Sequence, residues 1–459
     1  QSGSVMLDSA GDAESAGDIQ LGKGGSLRLG ASHITLGDAA GNACNQGLVL
    51  SNDQLAKLSG GNLALASASG IDLYGGVTVN ANRLTLQAQA VNGYANDGQT
   101  ASLNATTVDL MGDSTPGAGS GTGTGTLDIK AQEINLGSPD PALSGAGTLS
   151  IAGFDGVNID GGTVTLLGAG QLQTTGNLSV HSGQISGTAG GNWAVVTPGT
   201  LDISGGQQAG APAAAVPPLG AALSLTGASV SFDGTVSLPS GILTLAATGA
   251  SPGDGLVIGP DAAVDLSGRV IDFSSTSAAS PGGKLVLNAA QGDVTIQSGA
   301  TIDVAGGTGA AGGSIAIAAF NGTTEIDGEV IASDSPGGDG QGNFTLDTES
   351  LTDLSSLAAS LDRGGFTGTV GVRARGGDLQ LTGGSVLKGH DVTLTADSGN
   401  IDIAGTIEAA GSQAGNVAVA AGGTLSVEAS AIIDTHATAS GAAGGRVLLS
   451  SGGTVNIAP

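Results

Sequence analysis

The sequence has few of the residues on which cross-linked folds and wide globular cores depend. Its 459 residues include one cysteine, Cys44, and aromatic residues make up only 2%. A single cysteine excludes a disulfide framework, and we interpret Cys44 as a small residue in a turn. The 39% of hydrophobic residues are therefore mainly Ala, Val, Leu and Ile. These side chains favour a thin, repetitive core.

Basic residues are also scarce. There are 12 Lys and Arg against 39 Asp and Glu, which gives a formal net charge of −27. A phosphate backbone would be repelled, so we expect no nucleic-acid partner. An anionic membrane surface is disfavoured for the same reason. The sequence contains no run of 18 uninterrupted apolar residues, so it predicts no membrane-spanning helix.

Glycine, by contrast, is abundant and stands at recurring places. With 85 glycines and 13 prolines, the chain stays below the ~25–30% that marks disordered low-complexity sequences. Two glycines repeatedly precede an aliphatic pair that is separated by one variable residue. The pairs predict short strands with one buried face, and the glycines predict corners between strands. The phrase occurs as GGSLRL at Gly24, GGNLAL at Gly60, GGTVTL at Gly161, GGKLVL at Gly282, GGSIAI at Gly312, GGDLQL at Gly376, GGTLSV at Gly422 and GGTVNI at Gly452.

The aliphatic pairs recur with a period in the low twenties. Three short strands per period with tight corners are typical of a coil of a parallel β-helix, whereas propeller blades need ~40 residues and aromatic signatures. We therefore predict an all-β, right-handed parallel β-helix with about three short strands per coil. The spacings that carry this prediction are Leu63 to Leu84, Val157 to Leu178, Leu379 to Ile401 and Leu425 to Val447.

Acidic residues often stand between two inward aliphatics, which predicts that they face outward. We interpret them as a solvated acidic face. A row of calcium ligands is the alternative, but GGDGQGNFT at Gly337 has Gly342 where the calcium-roll motif needs Asp, so we predict no structural calcium. The outward carboxylates are Asp72, Asp128, Asp202, Asp265, Asp303 and Asp402.

We predict one continuous β-helix over residues 1–459. Gly/Pro-rich loop insertions thrown out of the solenoid are expected near 113–126, 207–221 and 333–343. A short helix is expected near 350–363, and a smaller one after Ser51. The first rests on leucines at helical spacing, on a capping box and on a C-terminal glycine: Leu351, Leu354, Leu357 and Leu361, Ser350 with Asp353, and Gly364.

Motifs that carry chemistry are absent or incomplete. Gly17, Gly22 and Lys23 have phosphate-loop spacing, but Gly24 replaces the Ser or Thr that would ligate magnesium. GTGAAG at Gly307 leads into an alternating strand instead of the helix that a dinucleotide site needs. No zinc spacing or G-x-S-x-G elbow is present. We assign no catalytic, cofactor-binding or metal-ligating residue and expect no cofactor. The histidines are scattered at His33, His181, His390 and His436.

Two alternatives remain open. A β-helix polysaccharide lyase or hydrolase would need clustered carboxylates with a basic residue in one groove. A sugar or protein receptor module would need a concave, aromatic-lined patch near Trp193. The few aromatic side chains, Trp193, Tyr74 and Tyr94 among them, argue against a sugar-binding groove.

The chain resembles the large exoproteins of the filamentous haemagglutinin family of Gram-negative bacteria. The resemblance covers nearly the whole chain. It is carried by the number and order of phrases such as GGFTGTVGVRARGGDLQLTGGSVLKGHDVTLTADSGNIDIAGTIEAAG, NQGLVLSNDQLAKLSGGNLALASASGIDLYGGVTVNANRLTLQA and GAALSLTGASVSFDGTVSLPSGILTLAATG. No secretion domain or toxin domain of the family is recognised, so the chain is similar to an internal shaft segment.

This resemblance implies a right-handed β-helical rod exported by two-partner secretion. The implied partners are an outer-membrane secretion transporter and a host or neighbouring cell surface or matrix, with end-to-end or lateral self-association as a further option. The resemblance implies a secreted or cell-surface location. We therefore expect a non-enzymatic structural rod of an adhesin or filament that mediates attachment or biofilm formation.

Overall fold

The structure is a computed structural model, and it describes residues 3–9, 21–22, 24–38, 47–96, 98–115, 117, 119–137, 147–205, 218–333 and 340–459. Cys44, Gly17 and Lys23 lie outside these residues, as do most of the expected loops at 207–221 and 333–343. The chain divides into two compact units. The first comprises Gln1–Ala228 and Gly234–Ser237, and the second comprises Ser229–Asp233 and Leu238–Pro459.

The first unit is built from strands and one short helix, α1 (Asn52–Lys57). Its strands are β1 (Ser4–Asp8), β2 (Ser26–Ala31), β3 (Ile34–Leu36), β4 (Leu48–Leu50), β5 (Asn62–Ser67), β6 (Gly70–Tyr74), β7 (Thr78–Asn80), β8 (Arg83–Gln87), β9 (Ala90–Tyr94), β10 (Thr100–Asn104), β11 (Thr107–Met111), β12 (Gly125–Leu136), β13 (Gly147–Ala152), β14 (Phe154–Leu166), β15 (Ala169–Thr174), β16 (Asn177–Gly187), β17 (Asn192–Val196), β18 (Leu201–Gly205), β19 (Ala222–Gly227) and β21 (Thr235–Ser237).

The second unit is also built from strands and one short helix, α2 (Leu354–Gly364). Its strands are β20 (Val230–Asp233), β22 (Ile242–Ala247), β23 (Leu256–Ile258), β24 (Ala263–Asp265), β25 (Val270–Phe273), β26 (Thr276–Ala279), β27 (Lys284–Ala289), β28 (Val294–Ile296), β29 (Thr301–Asp303), β30 (Ser314–Ile326), β31 (Glu329–Ile331), β32 (Asn343–Leu351), β33 (Thr369–Ala374), β34 (Leu379–Leu381), β35 (Val386–Lys388), β36 (Asp391–Ala396), β37 (Ile401–Ile403), β38 (Thr406–Glu408), β39 (Asn416–Ala421), β40 (Leu425–Val427), β41 (Ile432–Asp434), β42 (Arg446–Ser451) and β43 (Val455–Ile457).

Within each unit, successive coils pair through parallel strands. In the first unit β5 pairs with β8, so that Leu63 lies beside Leu84, and β6 pairs with β9. In the second unit β33, β36 and β39 pair in the same parallel sense. Only the hairpin of β25 and β26 pairs two antiparallel strands among the described residues. The predicted parallel β-helix with short strands and two short helices is therefore confirmed.

The core of each coil comes from the alternation seen in the sequence. In β5 every second residue is buried, and Leu63 and Leu65 face inward. Burial of one such leucine contributes about 1.5–3 kcal/mol. The final phrase, Gly452 to Ile457, differs because Val455 and Ile457 are exposed, and β43 pairs with β40 alone among the described strands.

The glycine pairs make corners, as predicted, at several coils. Gly24 and Gly60 have φ of 82° and 81°, a left-handed conformation that side chains with a Cβ rarely adopt. Gly161 is an exception, because it lies inside the long strand β14 and pairs with Ala131. The same phrase therefore serves either as a corner or as part of a continuous strand.

Three of the four predicted spacings correspond to neighbouring coils. Val157 lies beside Leu178 and Leu379 beside Ile401, as Leu63 lies beside Leu84. The spacing from Leu425 to Val447 does not correspond to one coil, because Leu425 pairs with Val455 and Val447 pairs with Val417. The chain between β41 and β42 lengthens this coil. Residues 22 positions apart in sequence therefore do not pair on neighbouring strands here.

The expected loop near 113–126 does not leave the surface of its unit. The glycine strap, which we define as residues 119–125, lies flat against the first unit. Gly123 and Thr124 donate backbone hydrogen bonds to the carbonyl oxygens of Gly93 and Ala95, each at 3.0 Å. A Cβ on Gly121 would collide with the carbonyl oxygen of Ala152. Alternate glycines thus allow close backbone contact, and the expectation of an outward loop is wrong here.

Of the two described helices, neither is long and apolar enough to cross a membrane.

Candidate functional site

Helix α2 is the largest departure from the strand pattern in the second unit. Leu354, Leu357 and Leu361 are buried, which fits the predicted helical spacing of leucines. The cap differs from the prediction: Asp353 is the N-cap, and its carboxylate accepts hydrogen bonds from the backbone N–H groups of two following serines, Ser355 and Ser356.

The expected capping box of Ser350 with Asp353 is wrong because Ser350 still belongs to β32, where its hydroxyl contacts Thr323. The C-terminal glycine also differs by one position. Gly365, with φ of 78°, forms the left-handed cap, whereas Gly364 is the last helical residue. The sequence pattern predicted the helix, but a cap depends on where the preceding strand ends.

The helix takes the place of a strand on one face of the coils. β24, β29 and β31 pair in succession before it, and β35, β38 and β41 pair after it. A helix with its side chains is ~10–12 Å wide, whereas neighbouring strands are ~4.8 Å apart. α2 therefore separates the two groups of strands and leaves a groove on each side.

The first groove lies between α2 and the hairpin of β25 and β26, and its volume is about 770 Å³. Three carboxylates line it, from Asp303, Glu329 and Asp362, together with the guanidinium of Arg363. Val270 contributes an apolar wall. The groove thus combines several acidic groups with one basic group.

Asp303 has an unusual environment in this groove. Burial raises the pKa of its carboxyl, and the nearby charges of Asp265 and Glu329 act in the same direction, while a hydrogen bond from the backbone N–H of Ala305 opposes them. Asp265 and Asp303 are direct neighbours on adjacent strands, where like charges repel. Asp303 is therefore a carboxyl that gains a proton more readily than usual.

The second groove, of about 630 Å³, lies on the other side of α2. Lys388 Nζ lies 2.9 Å from Asp362 Oδ1 and 4.0 Å from Glu408 Oε2. The hydrogen bond to Asp362 raises the pKa of Lys388. Lys388 is thus held in its charged form, which makes it an anchor between α2 and β35 and a poor general base. The exposed His390 also lines this groove.

A polar cluster in the first unit joins residues that are far apart in sequence. His33 Nε2 lies 3.0 Å from Asp72 Oδ2, and His33 Nδ1 lies 3.1 Å from Ser69 Oγ. The hydrogen bond to Asp72 raises the pKa of His33. Asp72 also accepts a 2.8 Å hydrogen bond from the side-chain amide of Asn92. Sequence reasoning missed this cluster because its members lie on different coils.

The cluster contains the serine, histidine and aspartate of a catalytic triad, but its hydrogen bonds do not run in the direction that a triad needs. Ser69 Oγ donates to the carbonyl oxygen of Ser32 at 2.7 Å. His33 must then donate to Ser69 Oγ, whereas a general base must accept the serine proton. The cluster therefore fastens neighbouring coils to one another.

The structure keeps the other sequence candidates apart. Trp193 is 3% exposed, and its indole N–H donates to the carbonyl oxygen of Leu167 at 3.1 Å, so its ring does not line a concave patch among the described residues. Tyr74 and Tyr94 stack on each other with ring centroids 4.6 Å apart. His181 contacts Ser204 and His436 contacts Asp434, on separate coils. Gly307 leads through a turn into β30, as expected.

Five of the six outward carboxylates are half-buried, but Asp72 is 4% exposed, so the expectation of a solvated face is wrong at this position. In the part of the chain that the structure describes, no group of three or more His, Cys, Asp or Glu side chains is arranged to hold a metal ion.

Comparison with known proteins identifies no relative: no family model, no curated protein and no solved structure matches the chain.

Proposed function

We propose that the chain is a non-enzymatic structural rod of a secreted or cell-surface adhesin or filament, of the filamentous haemagglutinin type, that mediates attachment or biofilm formation. The observation that carries the proposal is the division between inward and outward positions on each strand. Inward positions keep apolar residues from coil to coil, as at Leu285, Ile315 and Phe344, whereas outward neighbours change freely.

Such a division supports a mechanical role because the outer surface need not keep a catalytic arrangement. The ionisable groups beside α2 agree with this role, since Lys388 is paired with Asp362. Under the proposal, an outer-membrane transporter exports the chain, and its outward residues and loops meet the cell surface or matrix through many weak contacts.

The experiment compares an inward and an outward substitution in a Gram-negative strain that exports the chain. Leu287→Asp places a charge in the core of one coil, and Val286→Asp places the same charge on the half-exposed position just before it. We expect the first variant to lose surface display and attachment, while the second keeps both. Attachment that persists when display is lost would contradict the proposal.

A second candidate function is a β-helix polysaccharide lyase or hydrolase. The first groove favours it, because Asp303, Glu329 and Asp362 lie in one groove with Arg363, and glycoside cleavage uses a protonated carboxyl beside a charged one. Incubation with neutral and anionic polysaccharides, followed by measurement of reducing ends and of unsaturated products, tests it. Product formation that Asp303→Asn abolishes would establish the enzyme and refute the purely structural role.

A further inference from the structure

A shallow depression on another face of the second unit has a different chemistry from the grooves beside α2. Its volume is about 410 Å³. Its lining includes the outward positions Ala316, Ala318 and Gly371, which have little or no side chain, and Thr345 lies between Ala316 and Gly371. Phe320 and Arg373 also line the depression. This volume lies within the ~300–1,000 Å³ that is usual for small-molecule sites.

Parallel register brings the polar side chains around this floor. Ala318, Asp347, Arg373 and Thr395 occupy one outward row on four adjacent strands. Hydroxyl groups and charged groups therefore lie beside the small apolar surface that Ala316, Ala318 and Gly371 provide. Pockets that bind small molecules combine an apolar lining with a few placed polar groups in this way.

The border is held in place before any ligand arrives. Arg375 forms a bidentate pair with Asp347, with Nε to Oδ1 at 2.7 Å and Nη2 to Oδ2 at 2.9 Å. The guanidinium of Arg375 also lies 4.4 Å from the centre of the Phe320 ring. Phe320 is 44% exposed, so one ring face is supported by Arg375 while the ring still borders the depression. Preorganisation of this kind reduces the entropy that binding must overcome.

Arg373 completes the border and retains free donors. Its Nη2 lies 2.7 Å from Asp397 Oδ2, whereas its Nη1 reaches Asp347 only at 3.6 Å. Because 3.6 Å is too long for a hydrogen bond, the Nη1 hydrogens are available to a ligand. The two arginines and two aspartates balance in charge, although the chain as a whole carries −27. These four groups therefore carry no net charge that would attract a charged ligand.

From this geometry we propose that the depression binds a neutral pyranose unit of a polysaccharide. Such a ring has an apolar face of C–H groups that fits the apolar surface and the Phe320 ring, and a rim of hydroxyls that can form hydrogen bonds with Arg373 and Thr395. This inference goes beyond the structural role and does not depend on it, because a binding site can be present on an enzyme or on a rod.

The test measures binding of maltohexaose, cellohexaose and a heparin hexasaccharide to the full chain by saturation-transfer NMR at millimolar sugar. We expect at least one neutral hexasaccharide to bind, and Phe320→Ala to weaken its affinity at least tenfold. Phe273→Ala is the matched control, since Phe273 is an exposed phenylalanine, 58% accessible, on the hairpin, and it should leave binding unchanged.

Arg373→Lys keeps the charge but removes the planar donors, so it should also weaken binding. Ala318→Gln places a larger side chain in the depression from an outward position, so it tests the site without removing Phe320. An unchanged unfolding midpoint shows that each variant folds. The proposal is overturned if neither neutral sugar binds, if only the heparin fragment binds, or if the Phe320 and Ala318 variants bind as the wild type does.

Discussion

Two segments interrupt the strand pattern of the coils, and they affect the surface in opposite ways. The glycine strap lies flat on the first unit and leaves Asn92 only 4% exposed, with its side-chain oxygen accepting a hydrogen bond from Ser120 N. Helix α2 replaces a strand in the second unit and leaves open grooves on both sides. The segment that interrupts the strands, more than the neighbouring coils, therefore decides whether polar groups are enclosed or accessible.

The largest effect should follow from removing the apolar contact of α2. Leu361 is 1% exposed, and Leu361→Ala should lower the free energy of unfolding of the second unit by about 2–5 kcal/mol. Ala359→Ser, at an exposed position of the same helix, should change it by less than about 0.5 kcal/mol. Denaturant titration followed by hydrogen exchange in each unit measures both. Equal effects of the two substitutions would mean that α2 does not pack as described.

A smaller effect is expected when the strap is forced away from the coil. Gly121→Val adds a side chain that collides with the Ala152 carbonyl, and overpacking of this kind costs about 1–3 kcal/mol. Thr122→Val is the control, because Thr122 is exposed. Hydrogen exchange of residues 90–95 should accelerate only in the first variant. Unchanged exchange there would show that alternate glycines are not needed for a closed surface.

The N-cap of α2 should contribute less to the free energy of unfolding than the buried leucines of the helix do. Asp353→Ala should lower the free energy of unfolding by about 1 kcal/mol. Hydrogen bonds from Ser356 lower the pKa of Asp353 below 3.8. This contribution is therefore present above pH 3.8 and is lost as the pH falls through the lowered value. A pH titration of the unfolding free energy, with Asp353→Asn as the uncharged variant that retains an acceptor, measures it. The same acid dependence in Asp353→Asn would assign the effect to another group.

The two units should also differ in the pH window in which they lose stability. The pKa of Asp303 is raised above 3.8 in the folded state, so the second unit should lose stability as the pH rises through the interval between 3.8 and that raised value. Asp303→Asn should remove this dependence and stabilise the unit at neutral pH. Hydrogen exchange of β29 across the acid range checks the prediction, and a less stable Asn variant at neutral pH would contradict it.

The first unit should lose stability over a pH interval that begins at a higher pH. The pKa of His33 is raised above 6.5 by Asp72, so the stabilisation from this pair is complete below pH 6.5 and is lost as the pH rises through the raised value. We expect this to be the smallest effect of the series. Hydrogen exchange of β3 and β6 between neutral and alkaline pH measures it, with His33→Gln as the variant that should lack the dependence.

The sequence was sufficient for the coil and for the presence of helix α2, but not for the course of the strap or for the contacts between neighbouring coils. Alternation at positions such as Leu63 and Leu65 predicts an inward face because the period of a strand is two. The flat course of the strap could not be predicted, since glycine permits both loops and close backbone contact. The His33 and Asp72 contact depends on which coils become neighbours, and this depends on loop lengths that the repeat alone does not show.

Unequal coil lengths have a practical consequence. Leu63 pairs with a residue 21 positions later, whereas Leu425 pairs with one 30 positions later, and both pairs belong to regular ladders. Each doubling of a flexible loop costs only ~0.6 kcal/mol in closure entropy. The exposed residues 439–441 are therefore a natural insertion point for a foreign epitope or an enzyme, and the coils offer a scaffold for displaying such cargo.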